Sequence, residues 1–115
     1  MQIDVRHASH PEAVKGFDTE TLRRHFLIET VFVPGDIRLT YSHYDRMVIG
    51  GAAPLGAALA LTAPKAIGQE TFLAERELGV LNVGGAGRVI VDGTSYALAK
   101  YDCLYVGRGA VDVSF

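Results

Sequence analysis

The sequence predicts an all-β domain with one short N-terminal helix. Three observations carry this. Many short apolar runs recur at regular spacing, separated by glycine, proline and aspartate. Apolar and polar residues alternate with period two in "IRLTYS" and "RVIVDG". Only one segment, "FDTETLRRHF", has helical spacing.

In chain order, residues 1–16 are polar and read as irregular. In "FDTETLRRHF", Asp18 or Thr19 is placed to cap a helix, and Glu20 suits the positive end of its dipole. Leu22 and Phe26 stand four apart and share a face, and so short a helix needs something to pack on. "ETVFV" then leads to the turn Pro34-Gly35-Asp36. In "IRLTYS", Ile37, Leu39 and Tyr41 point one way and Arg38, Thr40 and Ser42 the other, as on a half-buried strand. "RMVIGG", "AALALT", "TFLAE" and "LGVLNV" supply further strand-like runs, with Gly50-Gly51 and Pro64 between them. Asp92-Gly93, after "RVIV", is a hairpin signal, because a type I′ turn needs positive φ at both central residues. "SYALAKYDCLYV" offers one or two more strands.

A length of 115 residues suits a single domain, residues 1–115, able to bury about two-thirds of its unfolded surface. Apolar residues make up 49% and charged residues 21%, and the net charge is −2. That balance offers no electrostatic footprint for nucleic acid. The longest apolar stretch is broken by Pro54 and Gly56 and is too short for a membrane span. The N-terminus lacks the apolar core of a signal peptide, so the expected location is cytoplasmic. Cys103 is the sole cysteine and stands in an apolar run, where a buried, inert thiol is expected.

The glycine cluster Gly84-Gly85-Ala86-Gly87 raises the question of a phosphate cradle. A dinucleotide loop needs G-x-G-x-x-G opening a helix, but counting from Gly85 puts Ile90 at the last glycine. A P-loop needs Gly-Lys-Ser/Thr, and here Arg88-Val89 follow. The next residues alternate as a strand, so no helix N-terminus meets a phosphate. The cluster reads as a tight corner between strands, with glycines supplying φ values closed to other residues.

The spacing around that corner resembles the cupins, small jelly-roll barrels. Their first motif reads G-x5-H-x-H-x3,4-E-x6-G and their second G-x5-P-x-G-x2-H. Glu77, six residues and Gly84 resemble the end of the first motif. "YDCLYVGRGAVD" resembles the second, with Gly107 at the proline, Gly109 at the next glycine and Asp112 at the histidine. The histidine pair is missing, since Glu70, Thr71, Phe72 and Leu73 stand where it belongs. Glu77 and Asp112 alone would make a weak carboxylate-only site, so the pattern is that of a cupin without its metal. In that reading Arg76 and Glu77 flank the barrel mouth, and Glu77 accepts hydrogen bonds inside the barrel.

Longer stretches, "LRRHFLIETVFVPGDIRLTYSHYDRMVIGG", "FLAERELGVLNVGGAGRVIVDG" and "YDCLYVGRGA", resemble the N-terminal region of the 5-dehydro-4-deoxy-D-glucuronate isomerases. The resemblance runs from the first helix to the end of the chain. It implies a two-cupin chain more than twice this length, a hexameric assembly, and zinc held by the second cupin. The implied reaction converts 5-dehydro-4-deoxy-D-glucuronate to 3-deoxy-D-glycero-2,5-hexodiulosonate in pectin and uronate breakdown. The implied fold is a cupin-like jelly roll, expected here to be incomplete at the C-terminus. No cofactor and no catalytic residue carries over to these positions. The implied partners are the second cupin, further copies of the chain and a keto-uronate substrate.

Several residues are candidates for binding. Tyr41, His43 and Asp45 share a face if "YSHYDR" is extended, and could line a polar pocket or end a solvated hairpin. Arg46 could hold a substrate carboxylate through its planar fork, and Arg76 is a further candidate. His7 and His10 have H-x-x-H spacing but sit on a polar terminus, where solvated side chains are expected. His25 reads as a packing or surface residue. The alternative function is a non-enzymatic jelly-roll module that binds a small acidic ligand or mediates oligomerisation. Arg38, Arg46, Arg76 and Arg88 would then supply positive charge.

Overall fold

The computed structural model describes residues Met1–Phe115. The chain forms two compact units, Met1–Ala53 and Pro54–Phe115.

The first unit is built on a three-stranded sheet in the order β1-β2-β3. Its strands are β1 (Gln2–Arg6), β2 (Ile37–Ser42) and β3 (Met47–Ala52). β1 pairs parallel to β2, Gln2 with Arg38 and Arg6 with Ser42. β2 and β3 form an antiparallel hairpin. Between β1 and β2 lie α1 (Pro11–Val14) and α2 (Thr19–Phe26). The expectation of an irregular residue 1–16 segment is therefore corrected. β1 alternates poorly in polarity because it is an edge strand with much of its side-chain surface exposed. Its main-chain pairing with β2, not its own pattern, makes it a strand.

Asp18 caps α2: its Oδ1 accepts the Thr21 N–H at 2.8 Å. Leu22 and Phe26 do share a face, yet both stay more than a third exposed. β2 departs from simple alternation. Ile37, Thr40 and Tyr41 are all buried, as befits the central strand of its sheet. Gly51 on β3 is needed for space: a Cβ there would lie 2.6 Å from the Val31 carbonyl oxygen and 2.7 Å from the Phe32 ring.

The second unit holds two small sheets. β4 (Leu78–Leu81) pairs antiparallel with β7 (Cys103–Val106). β6 (Thr94–Leu98), β5 (Gly87–Val91) and β8 (Val113–Ser114) form the other, in that order. The β5–β6 hairpin turns at Asp92 (φ 46°) and Gly93 (φ 82°), the geometry expected of that pair. The buried apolar residues here include Leu61, Ile67, Phe72, Leu73, Val89, Leu98, Val106 and Val113.

Two strand expectations fail in this unit. "AALALT" contributes only a bridge, Ala60 to Ser114, flanked by main-chain bonds from Leu59 and Leu61 to β8 and its neighbour Phe115. "TFLAE" is a series of turns. Phe72 and Leu73 are consecutive and both buried, which the two-sided alternation of a half-buried strand does not allow. The fold is β-rich with two short helices and a 3-10 turn at Lys65–Ile67, and none of its sheets closes into a barrel.

Candidate functional site

The tip of the β2–β3 hairpin carries the residues that "YSHYDR" singled out. The His43 ring is stacked between two others, with its centroid 4.5 Å from His7 and 4.7 Å from Tyr41. Its main-chain N–H donates to the Arg6 carbonyl at 2.9 Å. Its Nδ1 stands 3.1 Å from the same oxygen, a contact made by an imidazole protonated at Nδ1. Tyr41 and His43 thus share a face as expected. Asp45 and Arg46 do not continue the strand: with φ of 54° and 51° they are the last two residues of the four-residue turn, 43–46, between β2 and β3. Asp-Arg lacks the glycine that most readily takes positive φ, so this turn has no clear local signal. His7 is a stacking partner, not a detached terminal residue, and His10 caps α1 by accepting the Glu12 N–H.

A groove of about 1080 Å³ opens in the same unit between the helical segment and the β1–β2 pair. Arg6, Arg24, Arg38, His25 and Ser9 are among its lining residues. His25 is held by Ser9 Oγ at 3.2 Å and by the Phe17 ring at 4.8 Å between centroids. Arg6 Nε pairs with Asp4 at 2.8 Å, and its guanidinium also donates to the Leu27 carbonyl. Arg23 pairs with Glu29. Arg38 differs: its Nε is buried and has no hydrogen-bond partner.

The second unit places Glu77 and Asp112 differently from the expectation. Glu77 is exposed. It lies one residue before Leu78, so it falls in phase with the outward Gly79 and Leu81, not with the inward Leu78 and Val80. It accepts a hydrogen bond from the Tyr105 hydroxyl, and this carboxylate holds the phenol above its usual range near 10. Asp112 is also exposed, and its main-chain N–H donates to Asp92 Oδ1 at 2.8 Å. Arg76 is half-buried. No group of three or more His, Cys, Asp or Glu side chains is arranged to hold a metal ion.

Cys103 is exposed, contrary to the expectation of a buried thiol. On β7 the inward positions are Leu104 and Val106, which leaves Cys103 and Tyr105 facing outward. A run of apolar residues does not reveal that parity.

The glycine corner is a corner, as expected, running from Leu81 at the end of β4 to Gly87 at the start of β5. Its mechanism differs from the expectation. None of Gly84, Gly85 and Gly87 has positive φ. The loop is held instead by Asn82, which sequence reasoning missed. Its Nδ2 donates to the carbonyls of Gly85 (2.8 Å), Leu98 (3.0 Å) and Ala99 (3.2 Å). Its Oδ1 accepts the Gly84 N–H at 3.0 Å. An asparagine two residues before a glycine pair was the available signal, since Asn bonds readily to nearby backbone.

Comparison with known proteins fits the sequence resemblance. By class, the proteins the chain is similar to are named as sugar-acid isomerases. It is 51% identical over 113 residues to the 4-deoxy-L-threo-5-hexosulose-uronate ketol-isomerase of Halalkalibacterium halodurans, and 53% identical over 113 residues to that of Bacillus pumilus. The Lacticaseibacillus paracasei protein of the same name is 47% identical over 115 residues. These matches cover 98–100% of this chain but only 41% of each relative, so the chain spans about two-fifths of their length. No family model matches the chain. No helix is long and apolar enough to cross a membrane.

Proposed function

We propose that this chain is the N-terminal, cupin-derived part of a ketol-isomerase acting on 5-dehydro-4-deoxy-D-glucuronate, with a structural and assembly role in it. The observation that supports this is identity near 50% along essentially the whole chain to proteins of that name. The reaction, in pectin and uronate breakdown, moves a carbonyl between neighbouring carbons to give 3-deoxy-D-glycero-2,5-hexodiulosonate. It needs a base to take a carbon-bound proton and an electrophile to hold the enediolate.

Zinc supplies such an electrophile in this reading. The residues present here do not fit it: Glu77 is engaged by Tyr105, and Asp112 is exposed with no third donor grouped beside it. In this reading zinc and the chemistry belong to a second cupin.

The structural role draws support from the outer face of the β4–β7 sheet. Leu81 is 55% and Tyr105 67% exposed there, alongside Cys103. Apolar surface of this kind suits packing against the second cupin or further copies in a hexamer. Within the first unit, His43 and Arg46 are the residues we would place nearest a keto-uronate; Arg76, in the second unit, is a separate candidate. The cytoplasm is the compartment this metabolism implies.

The test is an isomerase assay on this chain beside the longer protein that carries it. The expected result is turnover and stoichiometric zinc in the longer protein and neither in the 115-residue chain. Turnover by the short chain at a comparable rate would refute the proposal.

A further inference from the structure

We propose that the cavity beside β8 in the second unit binds a small organic ammonium ion with an apolar body, of the arylalkylamine class. The cavity has a volume of about 410 Å³, within the range of small-molecule pockets. It is bordered by residues 60–63, residues 70–72, Ile90 of β5 and residues 111–114. All of these belong to the second unit, Pro54–Phe115.

The cavity has its origin in a sheet edge that stays paired only part of the way. The Leu59 N–H donates to the Phe115 carbonyl, the Phe115 N–H to Leu59, and the Leu61 N–H to the Val113 carbonyl, each at 2.9 Å. These bonds lay residues 59–61 along β8. Past the Leu61–Val113 bond, residues 62–63 and 111–112 both border the cavity.

The interior decides the body of the ligand. Leu61, Phe72 and Val113 are buried, and Ile90 is half-buried beside them. An apolar body laid against these side chains leaves water, and the Phe72 ring suits an aryl group.

The mouth decides its charge. Glu70 and Asp112 border the cavity and are exposed, whereas no Lys, Arg or His borders it. The Asp112 main chain is spent on Asp92: its N–H donates to Asp92 Oδ1 and its carbonyl accepts the Asp92 N–H, both at 2.8 Å. Its carboxylate makes no ion pair, and neither does that of Glu70. This negative charge favours a cation and disfavours an anion. Thr71 and Ser114 also border the cavity, and hydroxyl oxygens accept from an ammonium as carboxylates do. A metal ion fits less well. It gains nothing from the apolar interior, and two carboxylates fall short of a group of three metal-binding side chains.

The site does not rest on the isomerase reading, and its test reads binding without turnover. The 115-residue chain is titrated with 2-phenylethylamine, which is cationic at neutral pH, and followed by the methyl resonances of Leu61, Val111 and Val113. Parallel titrations use 2-phenylethanol, phenylacetate, calcium chloride and Nα-acetyl-lysine amide. The amine should bind saturably and more weakly as salt is raised, and the other four about tenfold more weakly or worse. Glu70→Gln and Asp112→Asn should each weaken the amine about threefold, as exposed charges do. Glu75→Gln should leave it unchanged, since Glu75 pairs with Arg108 and does not border the cavity. Thermal unfolding checks each variant, and each removes an exposed charge only. The proposal is overturned if the amine does not bind, or if the alcohol or phenylacetate binds as well. It is also overturned if calcium or the lysine amide, a stand-in for a partner protein's side chain, moves the same resonances as strongly. Full affinity in the folded Glu70→Gln, Asp112→Asn double variant would overturn it too.

Discussion

Asn82 Nδ2 lies 2.8 Å from the carbonyl oxygen of Gly85 and also reaches the carbonyls of Leu98 and Ala99. One side chain thus ties the β4–β5 corner to the end of β6. The main chain of the same residue donates to the Asp102 carbonyl at 3.0 Å and accepts the Tyr101 N–H. Asn82→Ala leaves these groups to find water or go unpaired, and should destabilise the chain by about 2 kcal/mol. Asn82→Asp should be worse, because it sets a carboxylate against carbonyl oxygens. Urea unfolding measures both; a loss in Asn82→Ala too small to resolve would mean that water replaces the side chain.

Glycines at two places should respond oppositely to alanine. Gly51→Ala drives a methyl into the Val31 carbonyl and the Phe32 ring, and should cost about 1–3 kcal/mol. Gly85→Ala meets nothing within 4 Å and has no positive φ, so it should be neutral or slightly stabilising. Thermal melts of the two variants, compared with the parent, test this contrast. Equal effects would contradict the steric account of β3.

Acid should loosen α2 through its cap. The Asp18 carboxyl is held below its ordinary 3.8, chiefly by its bond to Thr21. A carboxyl whose folded pKa is depressed adds stability above its unfolded pKa. That stability is lost as the pH falls through the lower, folded value. The loss should therefore fall below about pH 3.8. Asp18→Ser keeps an N-cap acceptor without the titration, and should flatten this part of the helical signal followed by circular dichroism. An unchanged acid profile in Asp18→Ser would assign the transition to another group. Asp36 is the first to check, since the Met1 ammonium at 2.7 Å also holds its carboxyl low.

Cys103 should react with a thiol reagent in the native 115-residue chain, without denaturant, because β7 turns it outward. In the longer protein, the proposed packing on the β4–β7 face should slow that reaction. Equal rates in the two would remove this face from the interface.

Local chemistry made much of the chain legible. The Asp18 cap, the hairpin at Asp92-Gly93 and the paired runs of β2, β3, β5 and β7 depend on residues near in sequence, whose turn preferences and alternation act over a few positions. The resemblance to uronate isomerases was legible for the same reason, being written in contiguous runs such as "YSHYDR". Only the tertiary structure decided that β1 is a strand, because a distant segment supplies its hydrogen bonds. It also decided that Glu77 and Cys103 face outward, that "TFLAE" turns to bury Phe72 and Leu73 side by side, and that the Arg38 Nε is buried without a hydrogen-bond partner. Each of these depends on which residues far along the chain come to lie opposite, and periodicity within one segment carries no record of that.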